Sequence, residues 1–172
     1  MDHDSLVEDW RRNAERNDDR NFAFLRRLKF EDDNGPTDKL AAELHEEAFR
    51  IIDCTRCANC CKTMNVFLTQ EDVERIAQNL DIPTEEVIAT YLMPSGDDKP
   101  SPTPYEMKCK PCPFLGGDDR CMIYESRPAC CREFPHTDKE GFAARTYGHS
   151  ANALICPAVF WIVEQMRRPG RR

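Results

Sequence analysis

Four cysteines crowd into eight residues, Cys54-x2-Cys57-x2-Cys60-Cys61. Two-residue spacing lets a tight turn aim two thiols at one centre, and repeating it adds a third. A single such pair is the usual zinc knuckle, whereas the tripled spacing is how iron–sulfur loops wrap a cluster, so the run tilts toward iron. Neighbouring side chains diverge, so either Cys60 or Cys61 is expected to reach a second site or stand outside the first. Six more cysteines follow: Cys109, Cys112, Cys121, Cys130, Cys131 and Cys156. For Cys109 and Cys130, which lack a tight partner pattern, a small buried hydrophobe is an equal alternative to a ligand.

Ten cysteines inflate an apolar content of 40%, and without them it falls to roughly a third of the 172 residues. With 32% charged residues the core must be thin, and metal binding could supply the missing folding energy. A net charge of −7 argues against a general nucleic-acid or anionic-membrane binder. The start, Met1-Asp2-His3-Asp4-Ser5, is acidic with no apolar segment after it, unlike a secretory signal. The longest apolar stretch, 151–163, is interrupted by Asn152 and Pro157 and is too short to span a bilayer. These features predict a cytoplasmic, reducing location, where clustered cysteines bind metal or do redox work rather than form disulfides.

Apolar spacing predicts a helix over 5–29, with Leu6, Trp10, Ala14, Phe22, Leu25 and Leu28, then a break at Glu31 to Pro36. A second helix carries Leu40, Leu44, Ala48, Ile51 and Ile52 into the first cysteines, with His45 on its surface. Thr69-Gln70-Glu71-Asp72 reads as a capping box, and Pro83-Thr84 opens another helix, before a Pro/Ser/Gly-rich loop from Pro94 to Pro104. Residues 108–124 read as a β-hairpin turning at Gly116-Gly117-Asp118-Asp119. Pro128 and Pro135 bracket a short helix holding Cys130 and Cys131, and Cys156-Pro157 opens the last helix. The expected fold is mainly α with a short β-hairpin, a small irregular α+β domain stapled by metal. Its plan is an N-terminal helical extension (1–50), a cysteine-cluster domain (51–166) and a basic, solvated tail (167–172). Lys62, Lys108, Lys110, Arg120, Arg127 and Arg132 are placed in sequence to offset thiolate charge. A helix N-terminus would favour the thiolate of Cys156.

Beyond the first run, the blocks Cys112-Pro113-Phe114-Leu115, Cys121-Met122-Ile123-Tyr124-Glu125-x-Arg127-Pro128 and Cys131-Arg132-x-Phe134-Pro135 follow in order. With that run they resemble the YkgJ-type cysteine-cluster family, the CxxCxxCC zinc- or iron-chelating domain, over roughly residues 50–165. The resemblance implies eight metal ligands: Cys54, Cys57, Cys60, Cys61, Cys112, Cys121, Cys131 and Cys156. Cys109 and Cys130 stand as extras. A flagellin lysine methylase carries a similar motif, so the resemblance leaves a cluster-dependent enzyme open.

The first expectation is therefore a metal-binding protein holding iron, as an iron–sulfur cluster, or zinc, in a structural, redox or metal-handling role. A second is a cluster-dependent enzyme such as a protein-modifying transferase, with His136, Glu125 and Tyr124 as acid–base candidates. The absence of a glycine-rich strand–helix loop counts against it. A third is a zinc-stabilised interaction module docking a protein through the N-terminal helices. His136 and His149 read as ordinary polar histidines rather than ligands.

Overall fold

The computed structural model describes residues 2–31, 35–96 and 101–170. In chain order its helices are α1 (His3–Glu31), α2 (Gly35–Ile51), α3 (Cys54–Cys57), α4 (Asn59–Thr63), α5 (Gln70–Leu80), α6 (Thr84–Tyr91), α7 (Ala129–Glu133), α8 (Thr146–Ile155) and α9 (Pro157–Met166). The strands are β1 (Phe67–Leu68), β2 (Leu92–Pro94) and β3 (Tyr105–Met107). The fold is mainly helical with a short antiparallel element. The breaks expected at Glu31–Pro36 and Pro94–Pro104 fall partly outside the described residues. No helix among the described residues is long and apolar enough to cross a membrane.

The chain forms two compact units. The first runs through Cys57 and resumes at Pro135. Its centre is α9, buried on every side except at Glu164. A helix apolar all round must be enclosed, and α1, α2 and α8 all pack on it. Pro157 sits in the first turn, where its missing N–H costs nothing. Glu164, the one half-exposed residue of α9, accepts from Asn17 Nδ2 at 3.2 Å and pairs with Arg167 at 2.9 Å. The indole N–H of Trp10 donates to the Ala153 carbonyl at 3.0 Å, fixing α1 to α8. Asp38 of α2 accepts from the backbone N–H groups of Gly141 (2.7 Å) and Phe142 (2.8 Å), which sets the entry to α8.

The second unit spans Ala58–Phe134. Its core gathers Val66, Leu68, Val73, Ile76, Val87, Leu92, Met107, Phe114 and Ile123, with Cys112, Cys121, Cys130 and Cys131 packed against it. The sheet order is β1-β3-β2, all antiparallel. Thr69 and Asp72 form the expected capping box at the start of α5. Asp72 reaches further: its buried carboxylate also accepts from the Ala129 N–H at 3.0 Å and from Arg75. One acid thus caps α5 and holds the first residue of α7.

The hairpin expected over 108–124 contracts to a single bridge, Leu115 to Cys121, and the sheet forms elsewhere. Its turn does form, with Gly116 N–H donating to the Arg120 carbonyl at 2.7 Å. A ladder cannot extend past it, because Pro113 has no N–H to contribute and the Cys112 N–H is engaged by the Cys61 carbonyl.

Candidate metal centre

All ten cysteines are free thiols. The run Cys54–Cys61 does not continue as one helix. Ala58 adopts a left-handed conformation, φ 48°, at the N-cap of α4. A non-glycine residue there costs about 1 kcal/mol, so the turn is held by its surroundings. The unit boundary falls at the same point, placing Cys54 and Cys57 in the first unit and Cys60 and Cys61 in the second.

In the first unit, Asp53 fixes the cysteine turn. Its carboxylate accepts from the Thr55 hydroxyl (2.6 Å) and N–H (2.9 Å), while its own N–H donates to His3 Nδ1 at 3.1 Å. Arg56 pairs with Asp4 at 3.1 Å on the exposed side. Cys156, at the join of α8 and α9, is buried. Burial pushes its thiol up to about 12, and the charges of Cys54 and Cys57 add to that shift, so these three thiols lie within electrostatic reach of one another. The helix N-terminus pulls the other way through Val159 and Ala158 but does not prevail, which corrects the expectation of a favoured thiolate at Cys156.

In the second unit the thiols converge on Cys61. A hydrogen bond from Cys60, opposed by burial, brings the Cys61 thiol down to about 7. Cys112 is pushed up to about 11 by burial, then by Cys61, Cys121 and Cys109. Cys121 is raised by burial and by Cys61. Cys131 is raised by its hydrogen bond with Cys130, by burial, and by the charges of Cys130, Cys61 and Cys60. Cys61 therefore stands within electrostatic reach of Cys112, Cys121 and Cys131 alike. The backbone fixes this arrangement, since Cys112 N–H donates to the Cys61 carbonyl at 2.8 Å and the Leu115 bridge carries Cys121.

Among the extras, Cys130 joins this group: its thiol donates to the Phe67 carbonyl at 3.1 Å. The adjacency Cys130-Cys131, repeating that of Cys60-Cys61, was the available signal. Cys109 is exposed, with its thiol 3.5 Å from the Pro111 carbonyl. Lys62 bonds Asp119 at 2.6 Å while still favouring the Cys61 thiolate, and Arg127 favours that of Cys121. Three of the other basic side chains expected around the thiolates have different partners. Lys108 donates to the Ala89 carbonyl, Arg132 to the Arg127 carbonyl at 2.9 Å, and Arg120 lies 3.9 Å from Asp118.

Among the described residues no three His, Cys, Asp or Glu side chains are closed to the geometry that holds a metal ion. The thiols face one another at electrostatic range instead. Their chemistry suits a soft cation, because half-buried thiols that raise one another's pKa gain most from a positive charge that makes all of them thiolates. His45, expected on the surface, is half-buried on α2, with Nδ1 2.8 Å from the Thr137 hydroxyl. Tyr124 lies under the Arg127 guanidinium, 3.7 Å from ring to carbon, and Glu125 shares its 3-10 turn. His136 is held at φ 61°, and His149 is buried.

No curated protein and no solved structure matches this chain. A family model, CxxCxxCC, described as a "putative zinc- or iron-chelating domain", matches residues 53–150, more than half of the sequence. With the thiol-rich geometry already seen within that span, the chain belongs to the CxxCxxCC family.

Proposed function

We propose that this protein handles iron, bound as an iron–sulfur cluster, through the thiolates of Cys61, Cys112, Cys121 and Cys131, with Cys60 beside them. The observation that carries the reading is that Cys61 is the shared electrostatic neighbour of the other three. Four thiolates from three backbone segments make a soft donor set, and the tripled Cys-x2-Cys spacing leans toward iron. Cys54, Cys57 and Cys156 form a second set of three within the other unit. Three thiolates leave one position open on a tetrahedral metal or a cluster corner, which suits redox work or transfer of metal better than a purely structural role. When bound, the group would supply positive charge to each thiol set and, as a cluster, one-electron chemistry.

The test is purification without oxygen, with iron, zinc and acid-labile sulfide counted per chain beside the visible spectrum. Iron with matching sulfide and a brown colour supports the reading. Stoichiometric zinc without sulfide replaces it with a zinc site. A protein that takes up neither metal overturns chelation altogether.

A further inference from the structure

The first unit contains a cleft of about 320 Å³ that no cysteine lines. One wall comes from α1, where Asp9, Asn13, Asn17 and Arg20 follow helical spacing and share a face. The other comes from α9 and the turn after it, where Trp161, Gln165 and Arg168 do the same. The charges of the lining cancel, Asp9 and Glu164 against Arg20 and Arg168. Both carboxylates are also engaged within the cleft. Asn13 Nδ2 donates to Asp9 at 2.8 Å, Asn17 Nδ2 donates to Glu164 at 3.2 Å, and Arg20 reaches both Glu164 oxygens at 3.4 Å. Each asparagine uses its amide nitrogen there, which leaves its side-chain oxygen an acceptor without a partner among the described residues.

Gln165 supplies the independent sign of a ligand. It is 3% exposed, on a helix whose other residues except Glu164 are apolar. Neither end of its amide has a hydrogen-bond partner among the described residues. The ring nitrogens of His149 are closed off from solvent, but both amide atoms of Gln165 keep some surface, and the residue lines the cleft. One turn earlier, Trp161 is 9% exposed and its indole N–H is in the same condition, without a partner and not closed off. The other indole differs, since Trp10 donates to the Ala153 carbonyl at 3.0 Å. A carboxamide and an indole N–H set unmatched into an apolar helix weaken the fold unless something in the cleft meets them.

We propose that this cleft binds a neutral polyhydroxyl ligand, one sugar ring or a cyclitol, between Trp161 and Gln165 on one side and Asn13 and Asn17 on the other. The lining disfavours the alternatives. An anion meets Asp9 and Glu164, a cation meets Arg20 and Arg168, and an apolar molecule strips water from all four. A hydroxyl both donates and accepts, so two adjacent ones can donate to Gln165 Oε1 and accept from Gln165 Nε2. A third accepts from the Trp161 indole, whose Cβ is about 6 Å away along the helix, and others donate to the asparagine oxygens. The volume is at the lower end for ligand clefts and suits one ring rather than a whole nucleotide cofactor. Every lining residue falls outside residues 53–150, so the site belongs to this chain's own additions to the shared domain. It is independent of the metal reading and can fail without it.

The experiment titrates the full chain, isotope-labelled, with glucose, galactose, ribose and myo-inositol in turn, following the Trp161 indole N–H and the Gln165 side-chain amide by NMR. The Trp10 indole, already bonded to Ala153, is the internal control. Acetate and methylammonium are the charged comparisons. The two variants are Gln165→Leu, which suits an apolar helix and removes the amide, and Trp161→Phe, which keeps an aromatic ring and removes the N–H. Saturable shifts of both signals with at least one of the four probes, with Trp10 unmoved and Kd raised at least about tenfold in each variant, support the site. Should a variant not fold, the shifts in the parent chain decide. No saturable shift with any of the four, an equally tight response to acetate or methylammonium, or an unchanged Kd in folded Gln165→Leu overturns it.

Discussion

The backbone N–H of Cys112 donates to the carbonyl of Cys61 at 2.8 Å. A cysteine of the first run and one from fifty residues later are thereby set in register by main chain, independent of any metal. The thiols can therefore be altered without dismantling the scaffold that presents them.

Cys61→Ser keeps that main-chain bond and removes the thiol shared by Cys112, Cys121 and Cys131. If the proposed thiol set holds metal, the expected outcome is a lower metal content per chain by elemental analysis, with little change in far-UV circular dichroism. Cys109→Ser, at an exposed thiol, should leave metal content unchanged.

Asp72 accepts from Thr69 N–H at 3.1 Å, from Ala129 N–H at 3.0 Å and from Arg75, and it is 2% exposed. Asp72→Ala removes a cap and strips partners from buried donors, so a loss of about 3 kcal/mol is expected from urea unfolding. Burial alone would raise its carboxyl, but the Thr69, Arg75 and Ala129 hydrogen bonds outweigh that and hold it below 3.8. The stability it contributes is thus complete above pH 3.8 and is lost as the pH falls through its lower folded value.

His149 works in the other direction. Its pKa is about 4 in the fold against 6.5 for a free side chain, so between those values the unfolded chain binds a proton that the folded chain refuses. Stability therefore rises with pH across that window and is complete above it, by up to about 3 kcal/mol. Urea midpoints measured across this range should show the rise in the parent protein and a flatter profile in His149→Phe.

Gly116 turns the loop that carries Cys121. A Cβ there would sit 2.9 Å from Asp118 Oδ1 and 3.2 Å from the Arg120 carbonyl. The aspartate can swing aside but the carbonyl belongs to the turn itself, so Gly116→Ala should destabilise by about 1–2 kcal/mol in thermal unfolding. Gly117→Ala, whose Cβ meets nothing within 4 Å, is the control.

The helices were legible because their signals are local. The apolar stripe of α1, the Thr69–Asp72 cap and the proline after Cys156 each lie within a turn or two of what they specify. The sheet was not, since strands of two or three residues are too short to show alternation, and β3 joins partners far away in sequence. The turn at Gly116 was read correctly, yet Pro113 limits what it can join, so a true turn suggested a longer hairpin than exists. Spacing revealed the cysteines as a set. It could not reveal that the backbone reverses hand at Ala58, because alanine carries no local signal for that conformation. His149 looked like any polar histidine because its burial depends on Phe142 and on helices distant in the chain.

The match to the family ends at residue 150, whereas α9, around which the first unit is built, begins at Pro157. What is shared by descent and what folds together are thus out of step. A chain stopped at residue 150 would lose the second half of α8, Cys156 and all of α9, and would leave α1 and α2 facing a greasy hollow where that last helix packs. Anyone trimming this protein for expression should cut beyond Met166.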